Sequence, residues 1–482
     1  MKRWMYGLSL LWPLMSSCVT PTGGSPEVAT APLPPELAEL KQRAEGAPGD
    51  AALQRQLVNA YLDGHYYIEA YELVQALRET AGDNADDLML LGRSCVGLGL
   101  FDEAAACYNG ALRLKPGDTQ ATYELAYLLV ARGERAMAEQ LLAPALARQN
   151  PWWGFYTLAL QLHPQPADQL KLLQQFKAQG GETPGLDDAI SSLETKLKGE
   201  APGRMIQGGG QVIESRISDH YRLTLKVNGG HTGTFQFEPS RRGITISDDF
   251  AGTLKLTGLN HVGFSDEAGK TRLLAATRAR LDTLEVGNAT FADVDVDLAT
   301  EMQKLSVDGY IGPDIFPPDW AYRIDRKFEK LEFFPPDSPV PAPKTKAVQL
   351  KYYTFGSSIL VDAAVRNTQT DVTTKGKMTI YLASTSSFYN LEYARRLGFG
   401  QFETTTTATT RTAEGDYDKA VLVRFSELFF GGLRFNTPET LATDLGTAGM
   451  FVPFGQLSWD VLSRFIMTFE PATHTLTLEP YE

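Results

Sequence analysis

Ala70, Ala104 and Ala138 stand 34 residues apart; Leu57, Leu91 and Leu125 keep the same interval, and so do Val74, Tyr108 and Leu142. A fixed period of this length constrains the chain more than its composition does. A unit of that size cannot bury its apolar face alone, so successive units must stack, and about three are the minimum for stability. From Pro35 to about Lys198 strand signals are nearly absent and Ala, Leu, Glu and Gln dominate, so the unit is helical. Gly92 and Ala104 let paired helices approach, while Leu91 and Tyr108 fill the space between them. Trp152 to Phe176 reads as a degenerate fourth unit and Leu186 to Lys198 as a capping helix. Gly203 and the run Gly208 to Gly210 then break every periodicity.

Within the middle unit the spacing is Leu88, Leu91, Gly92, Gly99, Phe101, Ala104, Tyr108, Ala111 and Pro116. This pattern resembles the tetratricopeptide repeat, down to the small residue at the helix crossing and the proline that ends the unit. The resemblance implies a concave groove, lined by the first helix of each pair, that holds an extended peptide or a partner helix. Carried over, its lining positions are Arg55 and Asn59, Met89 and Arg93, and Tyr123 and Tyr127, each pair at i, i+4 on one face. Such a set suits an acidic or C-terminal peptide segment. The same positions are equally compatible with a solvated helix face that holds no ligand. Cys95 and Cys107 fall at inward helical positions and read as small core residues.

The N-terminus reads as an address rather than as part of the fold. Lys2 and Arg3 precede an apolar stretch, Trp4 to Met15, too short to span a bilayer. Ser16 and Ser17 then lead to Cys18. The succession resembles a bacterial lipoprotein signal, which implies acylation of Cys18. Five prolines with Gly23 and Gly24 between Val19 and Pro35 make a stiff, unstructured tether. Val19 after the cysteine implies outer-membrane sorting, facing the periplasm. The domain expectation is a signal at 1–18, a tether at 19–35, the repeat domain at 36–199, and β lobes at 212–335 and 345–482.

A net charge of −13, from 58 acids against 45 bases, argues against nucleic acid, because phosphate binding needs a concentrated basic surface. Three cysteines cannot build a disulfide framework, and the six histidines show no metal-ligand spacing. No metal and no cofactor are expected. The expected partner is a protein or peptide, with membrane contact through the lipid anchor alone.

Beyond Gln211 the texture changes to short β-branched and aromatic alternations with Gly turns, and the proline-rich stretch Phe334 to Lys344 halves the region. Comparing the halves aligns Phe237–Glu238 with Leu382–Ala383, Gly269 with Gly415, Gly287 with Gly431, Gly312 with Ser458, and Leu331 with Leu476. The offsets lie between 144 and 146. The shared order resembles the pepsin and retroviral protease superfamily, above all its bacterial retropepsin-like branch. That resemblance implies a duplicated lobe with flap tips at Gly269 and Gly415 and one catalytic aspartate per lobe.

The fold expectation is therefore multidomain: an all-α tetratricopeptide repeat solenoid, then an all-β bilobal aspartic-protease-like region. Its chemistry departs from the family. The triplets read Glu238-Pro239-Ser240 and Ala383-Ser384-Thr385. Alanine cannot ionise, and the extra methylene of Glu238 displaces its oxygens by roughly 1.5 Å, where about 1 Å can lower a rate a hundredfold. The functional expectation is an envelope-anchored peptide- or protein-binding scaffold with a non-catalytic cleft. The alternative is an aspartic endopeptidase with an atypical site, including one in which two chains pair their Glu238 side chains.

Overall fold

The computed structural model describes residues 33–148, 151–163, 165–198, 203–256, 259–267, 270–299, 307–343, 346–384, 386–396, 408–412, 415–443 and 451–481. Ten helices come first: α1 (Pro35–Glu45), α2 (Ala51–Asp63), α3 (Tyr67–Ala81), α4 (Ala85–Gly97), α5 (Phe101–Leu114), α6 (Thr119–Ala131), α7 (Arg135–Leu146), α8 (Trp153–Leu162), α9 (Pro166–Ala178) and α10 (Leu186–Leu197). The 34-residue period extends to their ends. Asp50, Asn84 and Asp118 cap α2, α4 and α6, each side chain accepting from backbone N–H groups of the first turn. His65, Gly99 and Gly133 take the left-handed conformation in the turns between paired helices. Ala70, Ala104 and Ala138 are fully buried at the crossings, as are Val74, Tyr108 and Leu142. A Cβ at Gly92 would run into the Tyr108 ring, which is why that crossing holds a glycine.

The strands of lobe one are β1 (Arg204–Gln207), β2 (Ile213–Ser218), β3 (Arg222–Val227), β4 (His231–Phe237), β5 (Ile244–Ser247), β6 (Leu259–Glu267), β7 (Lys270–Val286), β8 (Ala289–Ala299), β9 (Gly309–Ile311), β10 (Ala321–Asp325) and β11 (Lys330–Phe334). Lobe two supplies β12 (Val348–Phe355), β13 (Ser358–Asn367), β14 (Thr373–Ile380), β15 (Phe388–Asn390), β16 (Ala408–Thr412), β17 (Gly415–Phe430), β18 (Leu433–Thr443), β19 (Gly455–Leu457), β20 (Phe465–Glu470) and β21 (Thr475–Pro480). The lobes repeat one topology. In lobe one β4 runs parallel to β9, while β5 is antiparallel to β9 and parallel to β8. In lobe two β14 stands in the same relation to β19, and β15 to β19 and β18. The turns β7–β8 and β17–β18 use Gly287 and Gly431 at φ +58° and +56°. At Gly287 the approach of the Glu214 carbonyl leaves no room for a Cβ, so both space and conformation require glycine.

Antiparallel pairing in the order β2–β11–β10–β20–β21–β12 joins the lobes through six strands. At its centre Tyr322 pairs with Phe469, Arg323 with Thr468 and Ile324 with Met467, which places a pseudo-twofold axis between β10 and β20. The Tyr322 and Phe469 rings stack there at 4.7 Å. Buried side chains from both lobes form one continuous apolar core.

The repeat arm has its own core, and lobe two plugs into it. Phe101, first residue of α5, lies 4.8 Å from the Phe355 ring, 5.3 Å from Tyr353 and 6.1 Å from Phe451. The ammonium of Lys377 sits over Tyr353 at 4.2 Å and Phe101 at 5.1 Å, and it is paired with Asp362. The backbone N–H of Val452 donates to the Gly97 carbonyl at 3.1 Å. Turn glycines permit this approach: a Cβ at Gly99 would meet Lys377 at 2.9 Å, and one at Gly133 would meet His474 at 2.6 Å.

Candidate functional site

The strand β4 ends at Phe237 and delivers Glu238 to the interface between lobes. Glu238 donates its backbone N–H to the Ile311 carbonyl at 3.1 Å, and in lobe two Tyr381 does the same to Leu457 at 3.0 Å. The ladders agree: Phe237 faces Ile311 as Ile380 faces Leu457, and Thr245 faces Tyr310 as Phe388 faces Gln456. The strand register therefore makes Tyr381, not Ala383, the lobe-two counterpart of Glu238. The alignment of Glu238 with Ala383 is corrected by two residues, and Ala383 instead corresponds to Ser240. Glycines secure the crossing in both lobes: a Cβ at Gly455 would meet the Phe388 carbonyl at 2.5 Å, and one at Gly309 would clash with the equivalent carbonyl of Thr245.

Glu238 is fully buried and accepts four hydrogen bonds. One oxygen accepts from the Ser240 backbone N–H at 3.1 Å and the Ser240 hydroxyl at 2.8 Å. The other accepts from Leu382 N–H at 2.6 Å and Ala383 N–H at 2.8 Å. Ser240 and Ala383 are pseudo-symmetric equivalents, so one carboxyl is gripped by matching amides of both lobes. The extra methylene that makes Glu238 a poor copy of aspartate gives it the reach to bridge them. Burial pushes this carboxyl up to about 7, against the pull of the four donors. Tyr381, at the other motif position, is buried and carries no carboxyl. The arrangement can clamp two lobes together. Among the described residues no second carboxyl contacts Glu238, and its oxygens already hold four donors.

The groove residues are distributed over several roles. Arg55 makes a bidentate pair with the buried Asp87, at 2.6 and 2.9 Å. That contact holds the Asp87 carboxyl below its usual range. Arg93 bonds Asn59 at 3.3 Å across successive repeats and lies 3.8 Å from Asp63. Met89 is half-buried at the α4–α6 side of the core. Tyr123 is buried against Trp152, with ring centroids 4.6 Å apart, and Tyr127 packs at 5.3 Å on Phe355 of lobe two. One end of the expected groove is thus covered by the β12–β13 hairpin of the same chain. The Gly356 carbonyl at that hairpin tip accepts from Arg242 of lobe one at 2.8 Å. Gly415 opens β17 opposite Thr412. Cys18 and Gly269 lie outside the described residues. Lys377, Tyr353, Phe355 and Phe451 carry no sequence motif that marks them as docking residues. Among the described residues no cluster of His, Cys, Asp and Glu could hold a metal ion.

These features define a tetratricopeptide-like helical arm followed by a two-lobed aspartic-protease-like β region. Solved structures similar to the chain fall on the same two parts. The aspartic proteinase from Irpex lacteus is 10% identical over 56% of this chain and 98% of its own, with a TM-score of 0.35. A tetratricopeptide repeat protein from Parabacteroides merdae is 16% identical over 34% of this chain and 66% of its own, with a TM-score of 0.29. A retropepsin-like aspartic protease from Rickettsia conorii is 15% identical over 27% of this chain and 96% of its own, with a TM-score of 0.19. No protein-family model and no curated protein sequence matches the chain.

Proposed function

We propose that this protein is a lipid-anchored envelope scaffold that binds an extended polypeptide in a cleft without cleaving it. One observation carries the reading: a single carboxyl, Glu238, is held by Ser240 on one side and Leu382 and Ala383 on the other. A working aspartic pair needs one ionised and one protonated carboxyl facing a shared water. Here the one carboxyl serves as a bridge between lobes, and Tyr381 occupies the second position. A two-lobed cleft of this architecture still suits main-chain recognition of an extended segment. The helical arm, docked on lobe two, supports a role in assembling proteins. The basic, apolar and small-residue succession before Cys18 supports an anchor, and Val19 supports an outer-membrane position facing the periplasm.

The test incubates the full chain with denatured protein substrates from about pH 3 to 7 and follows both retention and cleavage. Retention of intact polypeptide without new termini is the expected result. Cleavage that a transition-state peptide mimic blocks and Glu238→Gln abolishes would establish an atypical peptidase instead. For the anchor, clickable fatty-acid label on the wild type should vanish in Cys18→Ala.

A further inference from the structure

We propose that Cys95 and Cys107 form a disulfide site that locks the turn by which the arm docks on lobe two. The helices α4 and α5 pack antiparallel, with Gly92 under the Tyr108 ring and Leu88 against Gly110. The same alignment brings Cys95, near the end of α4, and Cys107, in the second turn of α5, into one seam. Both thiols are free and buried, and the neighbouring Cys95 holds the Cys107 thiol below its usual range. That lowered thiol is the one favoured as the attacking thiolate. Cys107 is also the more accessible, at 9% against 1% exposure.

The segment between them contains the docking contacts: Gly97 accepts from Val452, Gly99 lies against Lys377, and Phe101 enters the aromatic cluster of lobe two. A bond from 95 to 107 closes a ring around them and removes freedom from this turn when the arm undocks or unfolds. The oxidant is a small disulfide. Cys107 thiolate attacks it, forming a mixed disulfide and releasing one thiol. Cys95, deprotonated, then attacks the Cys107 sulfur, forming the Cys95–Cys107 bond and releasing the second thiol. Two protein thiols are oxidised and one disulfide is reduced to two thiols.

Trypsin gives a direct readout, because Ser94 to Arg113 contains both cysteines and no internal Lys or Arg. The full chain is equilibrated in glutathione buffers of increasing oxidised fraction, quenched in acid, denatured, alkylated with iodoacetamide and digested. The expected oxidised peptide is unalkylated and about two mass units lighter than the dithiol. The arm's helical melting midpoint should rise by several degrees on oxidation in the wild type but not in Cys95→Ser. A peptide alkylated twice in every buffer overturns the proposal. So does a lasting glutathione adduct on Cys107, because it would mean that the Cys95 sulfur cannot reach its partner.

Discussion

Glu238 ties the two lobes together at a carboxyl whose charge is disfavoured by its own burial, and this makes a pH-dependent prediction with a definite sign. Its ordinary value is 4.5 and the folded value is about 7, so between those limits the folded state holds a proton that the unfolded chain has released. Folding stability must then fall as pH rises from about 4.5 to about 7 and level off above. A gap of roughly 2.5, at about 1.4 kcal/mol per pH unit, makes the contribution about 3 kcal/mol. Glu238→Gln removes the ionisation while keeping the side chain's shape. Urea titrations of both proteins at several values between pH 4.5 and 8, followed by tryptophan fluorescence, isolate the effect as a difference of midpoints. The β-region transition is the one to compare, since a multidomain chain need not unfold in one step. The variant should gain on the wild type by about 3 kcal/mol across this range. A difference independent of pH would refute the reasoning. So would a wild type that gains with rising pH, which would mean that the four donors outweigh burial and hold the carboxyl as an anion.

The remaining expectations concern packing and pairing. Phe101→Ala should cost about 3–5 kcal/mol and speed hydrogen exchange in the Phe355 and Phe451 segments, because its ring touches both. Lys377→Met should cost less, about 1–2 kcal/mol, with the same exchange signature, since the apolar stem persists while the ring and Asp362 contacts go. Gly287→Ala should destabilise the β region by more than Gly432→Ala in chemical denaturation. Both have positive φ, but only at Gly287 does a Cβ strike backbone. Arg55→Ala should cost about 3 kcal/mol at pH 7 by removing the paired cation from buried Asp87, which keeps the Asn84 amide as a donor. Because the folded Asp87 carboxyl lies below its ordinary 3.8, the pair's stabilisation is present above that value and lost below it, so the cost should shrink in acid melts.

The helical arm was legible because every repeat solves the same packing problem with the same residues. Ala70, Ala104 and Ala138 are all fully buried, and even the caps Asp50, Asn84 and Asp118 keep the interval. The lobes were legible at their turns, where Gly287 and Gly431 meet the same backbone demand. The motif of lobe two was not. Its approach, Met378-Thr379-Ile380-Tyr381-Leu382-Ala383, is apolar enough to slide by two positions without losing alternation, and only hydrogen-bond register fixes it. The spacing between equivalent residues also drifts: Phe237 and Ile380 differ by 143, whereas Gly309 and Gly455 differ by 146. An offset borrowed from the flanking strands therefore misses the loop. Arm docking was invisible for a different reason, since Phe101 obeys the repeat pattern and touches lobe two with the same side chain.

The bridge at Glu238 also bears on how such a molecule can arise. A side chain sitting between Ser240 and Ala383 lies on the symmetry axis of the pair of lobes. In a true homodimer both copies of that side chain would claim the same volume, so the solution is closed to any assembly of identical halves. Halves free to diverge, as the two lobes of this chain are, can give the axis to one residue and fill the matching position with something else, here Tyr381. Asymmetry at the axis thus belongs to halves that differ in sequence, and reverting the chain to two identical lobes would require removing this glutamate first.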